Sequence, residues 1–567
     1  MAGAVSAGRT GAPLMITRRD LLVAAAALAG LPAQAQTAPS QAELLRFAPL
    51  GQVTLIHITD IHGQLMPMNF REAATNLGVG EARGLVPHLT GEALLRHFDL
   101  PRGSPMAFAL GDLDYAELAR RFGPMGGADR IATIVKAIRA ERPGRTLLLD
   151  GGDTWQGSWT SLQTKGADMV AFQKALGVEA MVGHWEFPYG AARVQELVEG
   201  LGFPFLGGNI QDREWGEDVF PATADFERGG VKIAVIGQAF PYTPIANPRW
   251  MIPDWEFGIK EEKLAGRVVA ARQGGAQIVV LLSHNGFDVD RKLARRVPGI
   301  DVILTGHTHD ALPRPERVGN TLLIATGSNG KFVSRLDLEV QGGRLAGFRH
   351  ALIPVFGDRI AADAQMAAVV QAQRAPFAAD LARVVGRTES LLWRRGNTNG
   401  TMDDLICDAL LEQRDAEIAL SPGFRWGTTL LPGSDITAED VWSQTAITYP
   451  NAYRLQMTGE TLKAVLEDVA DNLFNPDPYF QQGGDMVRTG GLSFTLDVAA
   501  ASGRRVSGLT SLRTGQPIEA GRDYTVAGWA SINENTQGPP VWELVMRHLA
   551  RGPVRIAPRD DIRLRGV

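Results

Sequence analysis

Short apolar runs alternate with helical stretches over the first two thirds of the chain. The runs are rich in Val, Ile and Leu, and most end at Gly, Asp, Ser or Asn; they cover residues 53–59, 146–149, 231–236, 278–282, 302–304 and 322–325. Runs that are apolar at successive positions are typical of strands buried on both faces, and their alternation with helices is typical of layered α/β domains. We therefore predict an α/β domain over residues 36–357.

The pattern changes after residue 357. Residues 358–382 contain no Gly and are rich in Ala, which predicts a linker helix. Beyond Arg383, helices are expected at about 402–414 and 459–473, and Gly-bounded strands at 491–498 and 524–528. This mixture predicts a second, α+β domain over residues 383–567. Residues 64–123 mix Pro and Gly with helix-like sequence and are interpreted as an insertion in the first domain.

The first 35 residues are typical of an export signal. Arg18 and Arg19 precede an apolar run at residues 21–31, and Ala33-Gln34-Ala35 suits signal peptidase. This pattern predicts a twin-arginine signal peptide over residues 1–35 and a periplasmic mature protein. The alternative is a short membrane anchor, but a helix that spans a bilayer takes about 20 apolar residues, and the run at residues 21–31 is shorter than that.

Composition and charge narrow the possible partners and sites. The 567 residues carry 57 Lys+Arg and 62 Asp+Glu, a formal charge of −5, which argues against sequence-independent binding of nucleic acid. Cys407 is the single cysteine, so thiolate-built metal sites and internal disulfides are excluded. Its apolar helical surroundings indicate packing rather than nucleophilic catalysis.

Histidines and aspartates follow the predicted strands. Five of the ten histidines lie in such turns, and the candidate metal ligands are Asp60, His62, Asp153, His184, His284, His307 and His309. Each alone is compatible with a hydrogen-bonded turn. Because carboxyl ends of neighbouring strands form a common crevice in an open α/β sheet, the seven side chains can converge, and a bound cation would offset the desolvation of so many polar groups.

Seven ligands indicate two ions. Asp60, His62, Asp153 and His309 can hold one ion, and Asp153, His184, His284 and His307 the other, with Asp153 bridging. Mixed imidazole and carboxylate ligation suits Mn, Fe, Zn or Ni without deciding among them. Paired divalent ions activate water and clamp a tetrahedral oxyanion, so we expect hydrolysis at a phosphoryl-like or sulfuryl-like centre.

The order of these motifs resembles the calcineurin-like metallophosphoesterases. Asp60-x-His62, Gly152-Asp153, Ser283-His284-x-Gly286 and Gly306-His307-x-His309 carry the resemblance. Residues 398–401, 422–425, 448–451 and 490–494 are similar to the substrate domain of the 5'-nucleotidase family. The resemblance implies a four-layer α/β/β/α catalytic domain followed by an α+β substrate-binding domain.

One position departs from most of this family. Where Asn-His-Glu is usual, with His as the acid or transition-state stabiliser, this chain has His184-Trp185-Glu186. Together with the insertion and the export signal, this resembles the thiosulfohydrolase branch of the periplasmic sulfur-oxidation (Sox) system. That resemblance implies two Mn²⁺ ions and a carrier protein whose C-terminal peptide presents a cysteine-S-thiosulfonate, from which an activated hydroxide releases sulfate.

The substitution is also consistent with the chemistry of the leaving group. A sugar alkoxide needs protonation as it leaves, whereas a thiolate, whose conjugate acid has a pKa near 8.5, can leave without a general acid. The alternative for Trp185 is simple packing beside the site.

Arg425 and the C-terminal aromatic segment bear on the substrate. Arg425 is a candidate sulfonate or sulfate contact, because a guanidinium matches an oxyanion bidentately; its alternative is a surface ion pair. The family's Gly-Gly-Asp-Gly-aromatic segment is replaced by residues 528–533, Gly-Trp-Ala-Ser-Ile-Asn, which puts stacking of a nucleobase in doubt.

We therefore expect a periplasmic thiosulfohydrolase whose catalytic residues are Asp153, His184, Trp185 and Arg425. One alternative is a 5'-nucleotidase or 2',3'-cyclic phosphodiesterase, which would share every metal ligand. The other is a non-catalytic, metal-stabilised periplasmic binding subunit.

Overall fold

The structure, a computed structural model, describes residues 38–567. The predicted signal peptide at residues 1–35 lies outside the described residues. Within residues 38–567, no helix is both long and apolar enough to cross a bilayer.

Two sheets form the centre of the first part of the chain. The strands of the five-stranded sheet are, in spatial order, Arg344–Pro354, Phe332–Gln341, Val53–Ile58, Thr146–Asp150 and Ala180–Met181. The strands of the six-stranded sheet are Glu316–Val318, Thr321–Ala325, Val302–Thr305, Ile278–Ser283, Val231–Gln238 and Thr223–Arg228. The six predicted apolar runs are all strands, each within two residues of its expected ends.

The central strands are buried on both faces because their alternate side chains enter different cores. Val53 and Leu55 pack between the two sheets against residues such as Ile233 and Val280. Ile56 and Ile58 point the other way, into a core with the helix Ala128–Glu141. The outer face of the six-stranded sheet is covered by further helices, among them Glu261–Gln273 and Phe287–Arg296. This is the expected α/β/β/α arrangement.

The remaining helices of the first part surround these layers. The α-helices are Gln41–Leu44, Gly91–Phe98, Pro105–Leu110, Tyr115–Phe122, Trp159–Thr164, Ala167–Leu176, Ala191–Leu201 and Thr243–Ala246. Short 3₁₀ helices lie at Gly80–Ala82, Phe187–Tyr189 and Arg249–Met251, and Gln211–Asp212 pairs with Trp255–Glu256.

The second part is a separate α+β arrangement. Its four-stranded sheet has the order Tyr453–Thr458, Asp523–Gly528, Ile418–Gly423 and Asp485–Gly490, and its three-stranded sheet the order Val506–Ser511, Leu492–Asp497 and Ile562–Arg565. Val384–Arg387 pairs with Asp435–Thr437. The helices are Thr401–Gln413, Ala438–Thr445, Gly459–Phe474 and Val541–Leu549, with a 3₁₀ turn at Pro478–Phe480.

The predicted linker helix is broken into three pieces. Ala364–Arg374 is α-helical, Ala375–Phe377 is a 3₁₀ turn, and Ala378–Leu381 is a second short helix. Pro376 explains the break, because proline lacks the N–H that an α-helix interior requires.

Candidate metal centre

The seven predicted ligands meet in two buried groups. Asp60, His62, Asp153 and His309 form one group, and Asp153, His184, His284 and His307 form the other; within each group, one ligand atom per residue lies within 4.8 Å of every other. Ligands at about 2.0–2.2 Å from a common ion are separated by no more than about 4.4 Å, so each set is close to what one ion requires. Asp153 belongs to both groups.

The side chains reach this place from two sheets rather than from the edge of one open sheet. Asp60 and Asp153 follow strands of the five-stranded sheet, and His284 and His307 follow strands of the six-stranded sheet. The carboxyl ends of both sheets therefore contribute. Gly306 permits the close approach, because a Cβ there would lie 2.6 Å from Thr59 Oγ1 and 2.9 Å from His284 Nδ1.

Five of the seven ligands have left-handed backbone conformations. Their φ angles lie between 52° and 75° at Asp60, His62, Asp153, His307 and His309. Such conformations cost non-glycine residues on the order of 1–3 kcal/mol each and are concentrated at functional sites. These backbone conformations lower the stability of the fold and direct the five side chains toward one place.

Hydrogen bonds leave one ring nitrogen of several histidines available to an ion. His62 Nδ1 lies 3.2 Å from the Gln156 carbonyl and His284 Nδ1 lies 2.6 Å from the Gly151 carbonyl, so both present Nε2. His307 Nε2 lies 2.9 Å from the Gln482 carbonyl, which leaves its buried Nδ1 without a partner. Ring N–H groups that donate to carbonyls are the usual outer support of metal-ligating histidines.

Gly483 makes the contact with Gln482 possible. Its φ is +72°, and a Cβ there would lie 2.6 Å from His307 Nε2. The loop from the C-terminal part can therefore lie directly on this ligand.

The electrostatics of the two groups suit divalent cations. Burial holds the pKa of His307 and His309 well below the ordinary value, and Arg425 lowers both further, so these rings are neutral. For Asp153, burial raises the pKa, but His184, His284 and His62 reverse this and hold it well below the usual range. Burial lowers the pKa of His284, but the Asp153 and Asp60 carboxylates outweigh it and raise that pKa to about 9, so this part of the site attracts positive charge. Imidazoles beside carboxylates are a donor set for Mn, Fe, Zn or Ni.

Close contacts between ligand atoms point the same way. His62 Nε2 and His309 Nε2 lie 2.9 Å apart, and His284 Nε2, which has no hydrogen-bond partner, lies 3.0 Å from Asp153 Oδ2. Bound ions would satisfy these atoms, so the residues present fit two divalent metals.

Trp185 lies beside the metal groups, although its ring is not a ligand. Its backbone N–H donates to Asp153 Oδ1 at 2.8 Å, which orients the carboxylate. Its ring is 6% exposed and packs edge-on against Phe424 and Trp426 and parallel to Tyr449. An indole provides no acid at this position.

The Glu186 carboxylate supports the backbone around His184 and Asp153. It is fully buried and accepts hydrogen bonds from the backbone N–H groups of His184, Thr154 and Trp155. Burial raises its pKa to about 7. It holds together the two turns that carry Asp153 and His184.

A cavity of about 170 Å³ opens onto the metal groups between the two parts of the chain. Asp153, His184 and His307 line it from the first part, and Phe424, Arg425 and Gly483 from the second. Arg425 donates to the His307 carbonyl and also lines a neighbouring cavity, to which Ala73 and Thr75 of the predicted insertion contribute. It is therefore not a surface ion pair.

The aromatic residues near this cavity are packed on one another. Phe424 stacks on Trp426 at 4.3 Å between ring centroids, and Trp529, 3% exposed, meets Phe424 edge-on. Trp529 also donates to Ser421 Oγ. The rings of Phe424 and Trp529 therefore leave no open slot between them for a nucleobase.

Several residues of the site were absent from the sequence-based prediction. Phe240 stacks on His307 and contacts His184, and Trp426 stacks on His62. Phe240 follows the strand Val231–Gln238, so the strand-end rule could have found it. Trp426 and Gln482 had no comparable signal, because the packing of the C-terminal part brings them in.

Comparisons with known proteins agree with this geometry. A family model described as calcineurin-like phosphoesterase matches residues 53–311, and one described as 5'-nucleotidase, C-terminal domain, matches residues 384–542. The solved structure of the sulfate thiohydrolase SoxB from Thermus thermophilus superposes with a TM-score of 0.88 at 37% identity, covering 92% of this chain and 98% of that one. The chain belongs to the 5'-nucleotidase family of calcineurin-like phosphoesterases.

Two 5'-nucleotidases are also similar to this chain. The mouse 5'-nucleotidase is 24% identical over 454 residues, which cover 71% of this chain and 76% of that protein. A 5'-nucleotidase precursor from Thermus thermophilus shares the fold, with a TM-score of 0.72 at 21% identity, and covers 91% of this chain and all of its own. The predicted family is confirmed, and the similarity to SoxB confirms the predicted resemblance to the thiosulfohydrolase branch.

We expect removal of metal to destabilise the protein. Because the two groups place carboxylates and imidazoles together in a buried site, ions should bind the folded state far better than the unfolded chain. One site filled at about 100 times its Kd contributes about 3 kcal/mol. Elemental analysis should find two ions per chain, and a chelator should lower the midpoint of thermal unfolding. Fewer than about one ion per chain would favour the non-catalytic binding subunit.

Proposed function

We propose that this protein is a periplasmic thiosulfohydrolase of the sulfur-oxidation (Sox) pathway. It releases sulfate from a cysteine-S-thiosulfonate on a carrier protein. The observation that carries the proposal is Trp185, which stands beside the metal groups at the position where most of the family has a catalytic histidine. The 37% identity with the sulfate thiohydrolase SoxB supports the same reaction class.

The proposed step is a hydrolysis at the outer sulfur. The oxygen of a water molecule forms a bond to the sulfonate sulfur, and the adjacent sulfur–sulfur bond breaks. The electron pair of that bond remains on the carrier's terminal sulfur, which leaves as a persulfide anion. Two protons pass to solvent as sulfate forms, so atoms and charge balance without an oxidant.

A sulfur leaving group explains how the site works without an acid. The thiolate of cysteine has a conjugate acid with a pKa near 8.5, so its departure needs no proton transfer in the transition state. An alkoxide leaving group would lose the rate factor of about 10² to 10⁴ that a positioned acid contributes. The indole of Trp185 therefore favours sulfur chemistry over phosphate-ester chemistry.

Two divalent ions, proposed to be Mn²⁺ and held by the seven ligands, would supply Lewis-acid polarisation and activation of water. The chain's own residues orient the reactants. The Trp185 backbone N–H fixes Asp153 Oδ1 and leaves Oδ2 for both metal groups. The His184 ring lies with its Nδ1 3.2 Å from Asp153 Oδ2, and its backbone N–H donates to Glu186. The rings of Trp185 and Phe424 line the cavity beside these residues.

The proposed substrate arrives on a peptide of the carrier protein. The cavities on either side of Arg425 are lined by both parts of the chain, and Gly483 and Gly484 line both of them. Two neighbouring cavities that share a glycine lining suit an extended peptide better than a nucleoside. Export by the twin-arginine route, proposed from residues 17–35, would place the enzyme outside the cytoplasm with such a carrier.

Arg425 is proposed to hold the sulfonate oxygens. One of its nitrogens donates to the His307 carbonyl, and the guanidinium lines both cavities. A charged hydrogen bond contributes about 1.5–3 kcal/mol, so Arg425→Met should lower kcat/KM roughly 10- to 100-fold. Inhibition by added sulfate should weaken as well. Unchanged inhibition by sulfate in Arg425→Met would contradict this role.

The proposed function is tested by incubating the metal-loaded protein with a thiosulfonated cysteine peptide and assaying sulfate. We expect sulfate and a peptide persulfide in equal amounts. No sulfate from a protein that retains two ions per chain would refute the proposed function while leaving the metal centre in place.

A further inference from the structure

Arg395 contacts the metal-ligand turn from outside the ligand set. It precedes the helix Thr401–Gln413 of the C-terminal part and is 5% exposed. Its Nη1 donates to the His309 carbonyl at 2.8 Å, and its Nη2 donates to the Thr308 carbonyl at 3.2 Å. The Asp310 carboxylate lies 3.4 Å from Nη2. The fork of this guanidinium thus spans three consecutive residues of the turn.

The turn is one that needs external support. His307 and His309 both have positive φ angles, 75° and 60°, which residues with side chains seldom adopt. Neither residue lies in a strand or a helix, so no regular hydrogen-bond ladder fixes the peptide planes between them. A bidentate, charge-assisted donor is well suited to fix such planes.

A buried carboxylate lies beside Arg395. Its Nε lies 3.5 Å from Glu72 Oε2, and Glu72 also pairs with Lys331, whose side chain is fully buried. Glu72 belongs to the predicted insertion, so that segment and the C-terminal part meet at this arginine. The guanidinium therefore lies between a buried carboxylate of the first part and the turn that carries two metal ligands.

We propose that Arg395 is a positioning residue of the metal centre. It sets the backbone of residues 307–309 so that His307 faces one metal group and His309 the other. Movement of this turn would displace one ligand of each ion at once. The proposal rests on the metal-binding part of the proposed function and does not depend on the sulfur substrate.

Metal retention is the direct test. The full chain, loaded with Mn²⁺, is dialysed against graded concentrations of a competing chelator. Loss of outer support typically weakens metal binding 10- to 100-fold, and we expect Arg395→Met to lower Mn²⁺ affinity by roughly that factor. At saturating Mn²⁺, kcat should fall while KM for the peptide stays within about twofold. Arg395→Lys should recover only part of the affinity, because lysine keeps the charge and loses the fork.

Arg505 provides a matched control within the same part of the chain. It is 2% exposed and, like Arg395, donates to backbone and carboxylate oxygens, here the Phe474 carbonyl and the Asp471 carboxylate. Arg505→Met should lower thermal stability without weakening Mn²⁺ binding. Equal Mn²⁺ affinity in Arg395→Met and Arg505→Met would overturn the proposal.

If Arg395→Met does not fold, Arg395→Lys and Arg505→Lys are compared in the same assay. Weaker Mn²⁺ binding in Arg395→Lys alone supports the proposal, and equal binding overturns it. A wild-type protein with fewer than about one ion per chain would instead refute the metal centre, and with it the proposed function.

Discussion

Trp185→His is expected to convert the protein toward a phosphomonoesterase. A histidine beside Asp153 would restore the acid that an alkoxide leaving group requires, which is typically a factor of about 10² to 10⁴. We expect phosphate release from AMP to rise by on the order of 10²-fold. Sulfate release from the thiosulfonated peptide should not rise, because its leaving group needs no proton.

Trp185→Phe is the matched control, since it removes the indole and supplies no acid. It opens the same kind of space beside Phe424, Trp426 and Tyr449 and should leave AMP hydrolysis at the wild-type rate. Phosphate esters with good leaving groups add a second readout. Aryl phosphates should be cleaved faster than alkyl phosphates by the wild type, and Trp185→His should reduce that difference. Equal AMP rates in the two variants would contradict the acid argument.

Asp153→Asn is expected to abolish activity through the metal centre. Its carboxylate faces His62, His184 and His284 at 3.7, 3.2 and 3.0 Å and belongs to both metal groups. Metal stabilisation of transition-state charge contributes several kcal/mol, so the rate should fall at least on the order of 10³-fold. Elemental analysis should find fewer than two ions per chain.

Asp168→Asn separates this effect from the general cost of altering a buried aspartate. Asp168 is fully buried in the helix Ala167–Leu176, accepts hydrogen bonds from Ser161 and Thr164, and has a pKa that burial raises to about 6. We expect this variant to keep its ions and its activity. Asp153→Asn with full activity and two ions would refute the bridging role.

Strand-end chemistry made most of the metal centre predictable. Asp60, His284 and His307 each follow an apolar run within a few residues, and such runs reliably indicate buried strands. His184 was harder, because its strand, Ala180–Met181, has only two residues. The strand pattern is weak there, and His184 was found from the motif Gly183-His184-Trp185-Glu186 instead.

The arrangement of two facing sheets could not be predicted from local pattern. An apolar strand looks the same whether its neighbour lies in one open sheet or in a second sheet packed on its face. Only the assembled core fixes how the strands pair and pack. Examples are the register of Val53–Ile58 against Thr146–Asp150 and the packing of Val53 and Val280 between the two sheets. The four-layer arrangement came from the resemblance to the family.

Contributions from the C-terminal part were the least predictable. Arg425 was marked by its place in the family's substrate loop, but Arg395, Trp426 and Gln482 reach the site only through tertiary packing. Their contacts are with backbone carbonyls and ring faces, which no side-chain motif encodes. The break at Pro376 in the linker was, by contrast, readable from the sequence.

The ratio of two specificity constants tests the central claim most directly. On one preparation of the metal-loaded protein, kcat/KM is measured for sulfate release from a thiosulfonated cysteine peptide and for phosphate release from AMP. A site with paired metal groups and Trp185 in place of the acid predicts a ratio well above one, on the order of 10² or more. Rapid phosphate release from AMP with no sulfate from the peptide would contradict it.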